Sequence, residues 1–142
     1  MSFPWLNTVI NDLISRKAYL PTAIMITGAE GVGKFEVANQ VARGLLCKDS
    51  EQGEGCRKCQ ACQLFESGNH PDYHLLTNEY KAQDMPARLM PAVERYIGDS
   101  RKSVEKRKSF KRVIGVEQIR ELTAELLSTA YLGASKVSIT YP

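Results

Sequence analysis

Apolar residues recur every three or four positions between Pro4 and Ala18, at Trp5, Leu6, Val9, Ile10, Leu13 and Ile14. This spacing predicts an amphipathic helix with Pro4 in its first turn. After Pro21 the pattern changes, because Ala23-Ile24-Met25-Ile26-Thr27 is a short unbroken apolar run closed by glycine, as expected of a strand buried on both faces. Helical spacing returns from Lys34 to Leu46, where Phe35, Ala38, Val41, Ala42, Leu45 and Leu46 form one stripe. The polar, glycine-containing residues Lys48 to Gly55 carry no stripe, so they predict a loop that some force other than packing must order. Tyr73 to Thr77 reads as a second strand, reached through the turn-forming Gly68-Asn69-His70-Pro71-Asp72. Residues 78–111 hold three helix-like fragments broken by Pro86, Pro91 and Gly98, and part of this stretch is expected to be mobile. The pattern clears again at Val116 to Ala130, with Ile119, Leu122, Leu126, Leu127 and Ala130 on one face and Gly133 as a helix stop. Lys136 to Tyr141 follows as a third strand. Strands alternating with helices predict an α/β domain around a mostly parallel sheet.

A length of 142 residues suits one domain, and 43% hydrophobic with 25% charged residues excludes collagen-like, disordered and disulfide-miniprotein classes. No apolar run approaches the roughly 20 residues of a membrane span, and Met1 to Trp5 lacks the features of a secretory signal. The expectation is a cytoplasmic protein with no membrane partner. The net charge of +3 is uneven, since Arg101 to Arg112 carries seven Lys or Arg against Glu105 alone, a local +6 that leaves the rest at −3. A general nucleic-acid coat is not implied. The basic run is read first as an exposed or poorly ordered loop, with DNA contact secondary.

Gly28-Ala29-Glu30-Gly31-Val32-Gly33-Lys34 fits G-x-x-x-x-G-K between a predicted strand and a predicted helix. Gly28, Gly31 and Gly33 would let backbone N–H groups turn inward around phosphate oxygens, and Lys34 would reach the β- and γ-phosphates of ATP or ADP. The next residue should be Ser or Thr to hold Mg²⁺, and it is Phe35. Glu30 also places a carboxylate in the loop. Two readings therefore stand side by side: a working nucleotide site, and a vestigial loop kept for its turn geometry. Hydrolysis is disfavoured in both.

Cys47, Cys56, Cys59 and Cys62 are spaced C-x8-C-x2-C-x2-C, which offers four thiolates to one tetrahedral ion. Without an export signal, such a cluster points to metal rather than disulfides. Structural Zn²⁺ is the leading reading; a redox pair and an iron–sulfur cluster are the alternatives. His70 and His74 are read as parts of the turn into the second strand rather than as ligands or bases. No nucleophile–base–acid constellation is apparent.

A phosphate loop, a helix ending in cysteine, C-x2-C-x2-C and Gly68-Asn69-His70-Pro71-Asp72-Tyr73, in that order, resemble the first domain of the bacterial clamp-loader subunits, most closely the delta-prime family of DNA polymerase III. The likeness covers residues 1–77 and resumes at Val116-Glu117-Gln118-Ile119-Arg120-Glu121-Leu122 and Gly133-Ala134-Ser135-Lys136-Val137, with 78–114 lacking a clear counterpart. The resemblance implies a P-loop AAA+ type parallel sheet with flanking helices, a small zinc-binding insert at 47–67 and an uncertain insertion at 78–112. It also implies that the strand ending at Thr140 should lead to an acid that organises Mg²⁺, whereas Tyr141 and Pro142 stand there. By this likeness the chain is truncated after its third strand. Its function would be that of a ring member that does not hydrolyse ATP and helps load the sliding clamp on primed DNA, with gamma/tau and delta subunits as partners. The alternatives are an active gamma/tau-type ATPase and a zinc-dependent nucleic-acid-binding module. In the AAA+ sheet a further strand would lie between the first and third, so the fragment is expected to self-associate through exposed edges or to shift its third strand against the first.

Overall fold

The computed structural model describes residues 4–49, 55–97, 109–133 and 135–142. The chain opens with a 3₁₀ turn at Pro4–Leu6 and helix α1 at Asn7–Ser15, followed by a second 3₁₀ turn at Lys17–Tyr19. Helix α2, Lys34–Leu46, starts where the glycine loop ends. Its stripe is wide enough to serve two partners. Val37 and Val41 pack with Ile10 and Ile14 of α1, while Ala42, with Phe35, Ala38 and Leu46, joins the main core. A short helix α3, Gln60–Glu66, follows the cysteines and contributes Phe65 to that core.

Strand β1, Tyr73–Thr77, is buried at every position, as suits a strand covered on both faces. It pairs in parallel with β2, Val137–Tyr141, in the register Tyr73↔Val137 through Thr77↔Tyr141. Between them lie α4 (Glu79–Ala82), a 3₁₀ turn (Ala87–Leu89), α5 (Met90–Ile97) and α6 (Val116–Leu127). The proline at position 91 falls in the first turn of α5, where its missing N–H costs nothing. Gly68 turns the chain into the His70–Asp72 segment with a φ of +73°, and a Cβ there would lie 2.3 Å from the Arg88 carbonyl oxygen.

Four features differ from expectation. Ala23 to Thr27 is not a strand: no described residue shares a ladder with it, and Met25 is 87% exposed. An extended run becomes a strand only beside a partner, and β2 pairs with β1 instead. For the same reason the third strand has not moved against 23–27. Residues 78–97 belong to the core, because Leu89, Ala92 and Val93 are fully buried and α5 packs on β1. Helix α6 ends at Leu127, well before Gly133, and buries Leu122 alone; Ile119, Leu126 and Leu127 remain exposed. Lastly, the helix at 60–66 stands where the cysteine segment carried no helical pattern. Most of the basic run lies outside the described residues. Its end does not: Arg112 stacks over Tyr80 with 4.4 Å to the ring centroid, and the Lys111 N–H donates to Glu79 Oε2. No helix among the described residues is long and apolar enough to cross a membrane.

Candidate functional site

The four cysteines meet at one point because three local structures deliver them. Cys47 caps the C-terminus of α2, Cys59 is the N-cap of α3, and Cys62 lies in its first turn. Arg57 takes a φ of +57° to bend the chain between Cys56 and Cys59. The four Sγ atoms all lie within 4.8 Å of one another, with Cys47 and Cys59 at 3.9 Å. Four ligands about 2.3 Å from a tetrahedral zinc would be spaced by roughly 3.8 Å, so the quartet needs only a small contraction. None of the four is in a disulfide, so all four sulfurs are available as ligands.

Backbone donors already point at these sulfurs. The Asp49 and Cys56 N–H groups donate to Cys47 Sγ, the Cys59 N–H to Cys56 Sγ and the Cys62 N–H to Cys59 Sγ, at 3.2–3.5 Å. Such bonds favour thiolate over thiol. At Cys59 burial pushes the pKa up, but the N–H groups of Cys62 and Lys48 and the neighbouring thiols outweigh it and bring the value to about 6. Burial dominates at Cys62, pushed up to about 12, and raises Cys47 as well. A divalent cation would lower all of them together. The donor set and spacing fit structural zinc.

The glycine loop before α2 is largely exposed and wraps its own lysine. Lys34 Nζ donates to the carbonyls of Gly28 and Ala29 at 2.8 and 2.6 Å. Gly31 and Gly33 have φ of +81° and +90°, which only glycine adopts freely. Phe35 turns inward. Its ring packs against the main core and meets Tyr141 with centroids 5.2 Å apart and planes tilted by 41°.

His70, Pro71 and Asp72 form a structural hub, as their turn chemistry suggests. The Asp72 N–H donates to His70 Nδ1 at 3.1 Å, and the Asp72 carboxylate accepts from the N–H groups of Tyr131 and Leu132. Arg95 donates to the carbonyls of His70 and Tyr73. His70 is not brought into the thiol cluster. Arg95 and the partnership of Phe35 with Tyr141 were not foreseen; both are contacts between residues far apart in the chain, which no local spacing encodes.

Residues 7–141 match the family described as DNA polymerase III, delta subunit. Among curated relatives, the DNA polymerase III subunit delta' of Pseudomonas aeruginosa is 28% identical over 140 residues, covering 99% of this chain and 34% of the relative. The Escherichia coli delta' subunit is 26% identical over 137 residues, 95% of this chain and 32% of the relative. That of Bacillus subtilis is 38% identical over 60 residues, 42% of this chain and 18% of the relative. The chain thus spans about a third of the length of the first two relatives. With a family match that extends across the 78–114 stretch, and relatives that are delta' subunits, this chain belongs to that DNA polymerase III family and stands with its delta' members.

Proposed function

We propose that the chain is the N-terminal part of an AAA+ domain in a replicative clamp-loader subunit of the delta-prime type. In this reading the subunit is a ring member that docks gamma/tau and delta subunits and helps place the sliding clamp on primed DNA, in the cytoplasm, without hydrolysing ATP itself. The observation that carries it is Phe35, which follows the phosphate-loop lysine and packs, partly buried, against the core, with no hydroxyl to offer Mg²⁺. Family membership supplies the clamp-loader context, and the loop conformation at Gly28, Gly31, Gly33 and Lys34 leaves binding of ATP or ADP open to it. Zinc held by Cys47, Cys56, Cys59 and Cys62 is structural here: four thiolates fill a tetrahedral ion and leave no position for substrate. Zinc would hold the 47–67 module closed and join the end of α2 to the start of α3.

The test is reconstitution. The full-length protein, alone, should show no appreciable Mg²⁺-dependent ATP turnover, while a clamp loader assembled from its own partners should load clamps only when this subunit is present. Turnover comparable with ordinary ATPases and abolished by Lys34→Ala would instead support the gamma/tau-type reading. Loading unaffected by omission of the subunit would remove the ring role.

A further inference from the structure

In a phosphate loop of this type the residue after the lysine gives a hydroxyl to Mg²⁺, and the resemblance to clamp-loader subunits implies an acid for the same ion at the end of a later strand. The first position holds Phe35, and where the acid is expected the chain has Tyr141 followed by Pro142, neither of them acidic. A phenyl ring has no ligand atom, and a neutral phenol is a poor replacement for a carboxylate toward a hard cation. Mg²⁺ does not fit this pair. The two residues are nevertheless in contact. Their rings meet at 5.2 Å with a 41° tilt, in the range where aromatic pairs attract, and Phe35 packs on the cluster that contains Ile139 of β2. The Lys81 ammonium adds a cation 5.3 Å from the Tyr141 ring centroid, on the side chain that occupies the place of the missing acid.

We propose that the Phe35–Tyr141 contact replaces a divalent cation as the tie between the start of α2 and the end of β2, so that any phosphate compound the loop accepts is accepted without Mg²⁺. In a metal-dependent loop, the ion joins helix and strand only while nucleotide is bound. An aromatic tie needs no ligand. The start of α2 is then held against β2 whether or not phosphate is present, and Lys34, bonded to the carbonyls of Gly28 and Ala29, is the cation left to meet it. The inference rests on the delta-prime-type reading for the assignment of the second position to Tyr141, and on the geometry for everything else.

A double-mutant cycle in the full-length protein tests the tie. Phe35→Ala and Tyr141→Ala, alone and together, are followed by thermal denaturation with ADP in either MgCl₂ or EDTA. Each single change should lower the midpoint by about 2–4 °C, and the double change should lower it by clearly less than the sum. ADP should move the native midpoint by the same amount in MgCl₂ and EDTA, no movement in either included. Strict additivity of the two substitutions overturns the tie, and an ADP shift that requires Mg²⁺ overturns the metal independence. Phe35→Leu and Tyr141→Leu complete the cycle if an alanine variant does not fold. Neither readout depends on ring assembly, so failure of the subunit to support clamp loading would sink the proposed function and leave the aromatic tie standing.

Discussion

The Tyr73 hydroxyl donates to the side-chain oxygen of Asn39 at 2.8 Å, joining the first residue of β1 to the middle of α2 inside the core. Both residues are almost completely buried, and burial raises the phenol pKa, so the hydroxyl stays protonated as a donor. Tyr73→Phe keeps the ring and its edge contact with Phe65 but leaves a buried amide oxygen unpaired. The expected loss is about 1–3 kcal/mol in chemical unfolding, and Asn39→Leu in the same background should recover part of it.

Acid should weaken the fold through its two buried histidines. His74 Nδ1 lies 2.5 Å from the Tyr96 hydroxyl, and burial, with Arg95 and Lys136 adding to it, holds its pKa below 6.5; burial lowers His70 likewise. The unfolded chain therefore binds protons that the folded chain refuses. The stabilisation is complete above pH 6.5 and is lost as pH falls from there toward the folded pKa values, by up to about 1.4 kcal/mol per pH unit for each histidine. Unfolding curves at pH 7.5, 6.5 and 5.5 measure it, and His74→Gln should flatten the slope.

One zinc per chain is expected by elemental analysis of protein purified without chelators. Cys59→Ser removes one ligand and the sulfur that accepts from the Cys62 N–H at the start of α3. Amide exchange should then accelerate across Gln60–Glu66 while β1 stays protected. Equal exchange in both segments, with metal retained, would contradict a structural role.

Gly68→Ala should be costly, because the added Cβ meets the Arg88 carbonyl oxygen and must take a left-handed φ. Strain and displacement together suggest about 2–4 kcal/mol, read from the urea midpoint. Gly31→Ala has the same backbone strain but open space around it, and should cost less.

The polypeptide of residues 1–142 should associate reversibly. Ala23 to Thr27 is apolar, in no regular element and without a ladder partner among the described residues, and Ile24 and Met25 face solvent. Light scattering should show mass rising with concentration, and Met25→Lys should suppress the rise.

What the sequence made legible was local. Helix α2 was readable residue for residue because its stripe, glycine loop and terminal cysteine all lie within twenty positions, and the thiol quartet was readable as a group because its four members lie within sixteen residues. β1 announced itself through its composition and its turn. Helix α3 was hidden, since in seven residues two of the three buried side chains are the small Ala61 and Cys62, leaving Phe65 as its one large apolar anchor. The failure at 23–27 has another cause: an apolar run reports the wish to be buried, and the neighbours that satisfy it are set by the rest of the sheet. At Phe35 the sequence tells only that a hydroxyl is missing; the ring contact with Tyr141, more than a hundred positions away, is visible only in the fold.

The parallel pairing of β1 with β2 also sets the order in which this chain can assemble. Thr77 Oγ1 donates to the Tyr141 carbonyl across 64 positions, and Asp72 holds Tyr131 and Leu132 across about as many. Closing so long a loop spends chain entropy before any ladder bond repays it, whereas α1 and α2 or the cysteine turn need only near neighbours. During synthesis β1, with Tyr73, Leu75 and Leu76, leaves the ribosome some sixty residues before its partner, about 3–12 s at ordinary elongation rates. For that interval Phe65 of α3, already synthesised, can cover Tyr73, and α5, which follows soon after β1 and packs on it, can shelter more of the nascent strand.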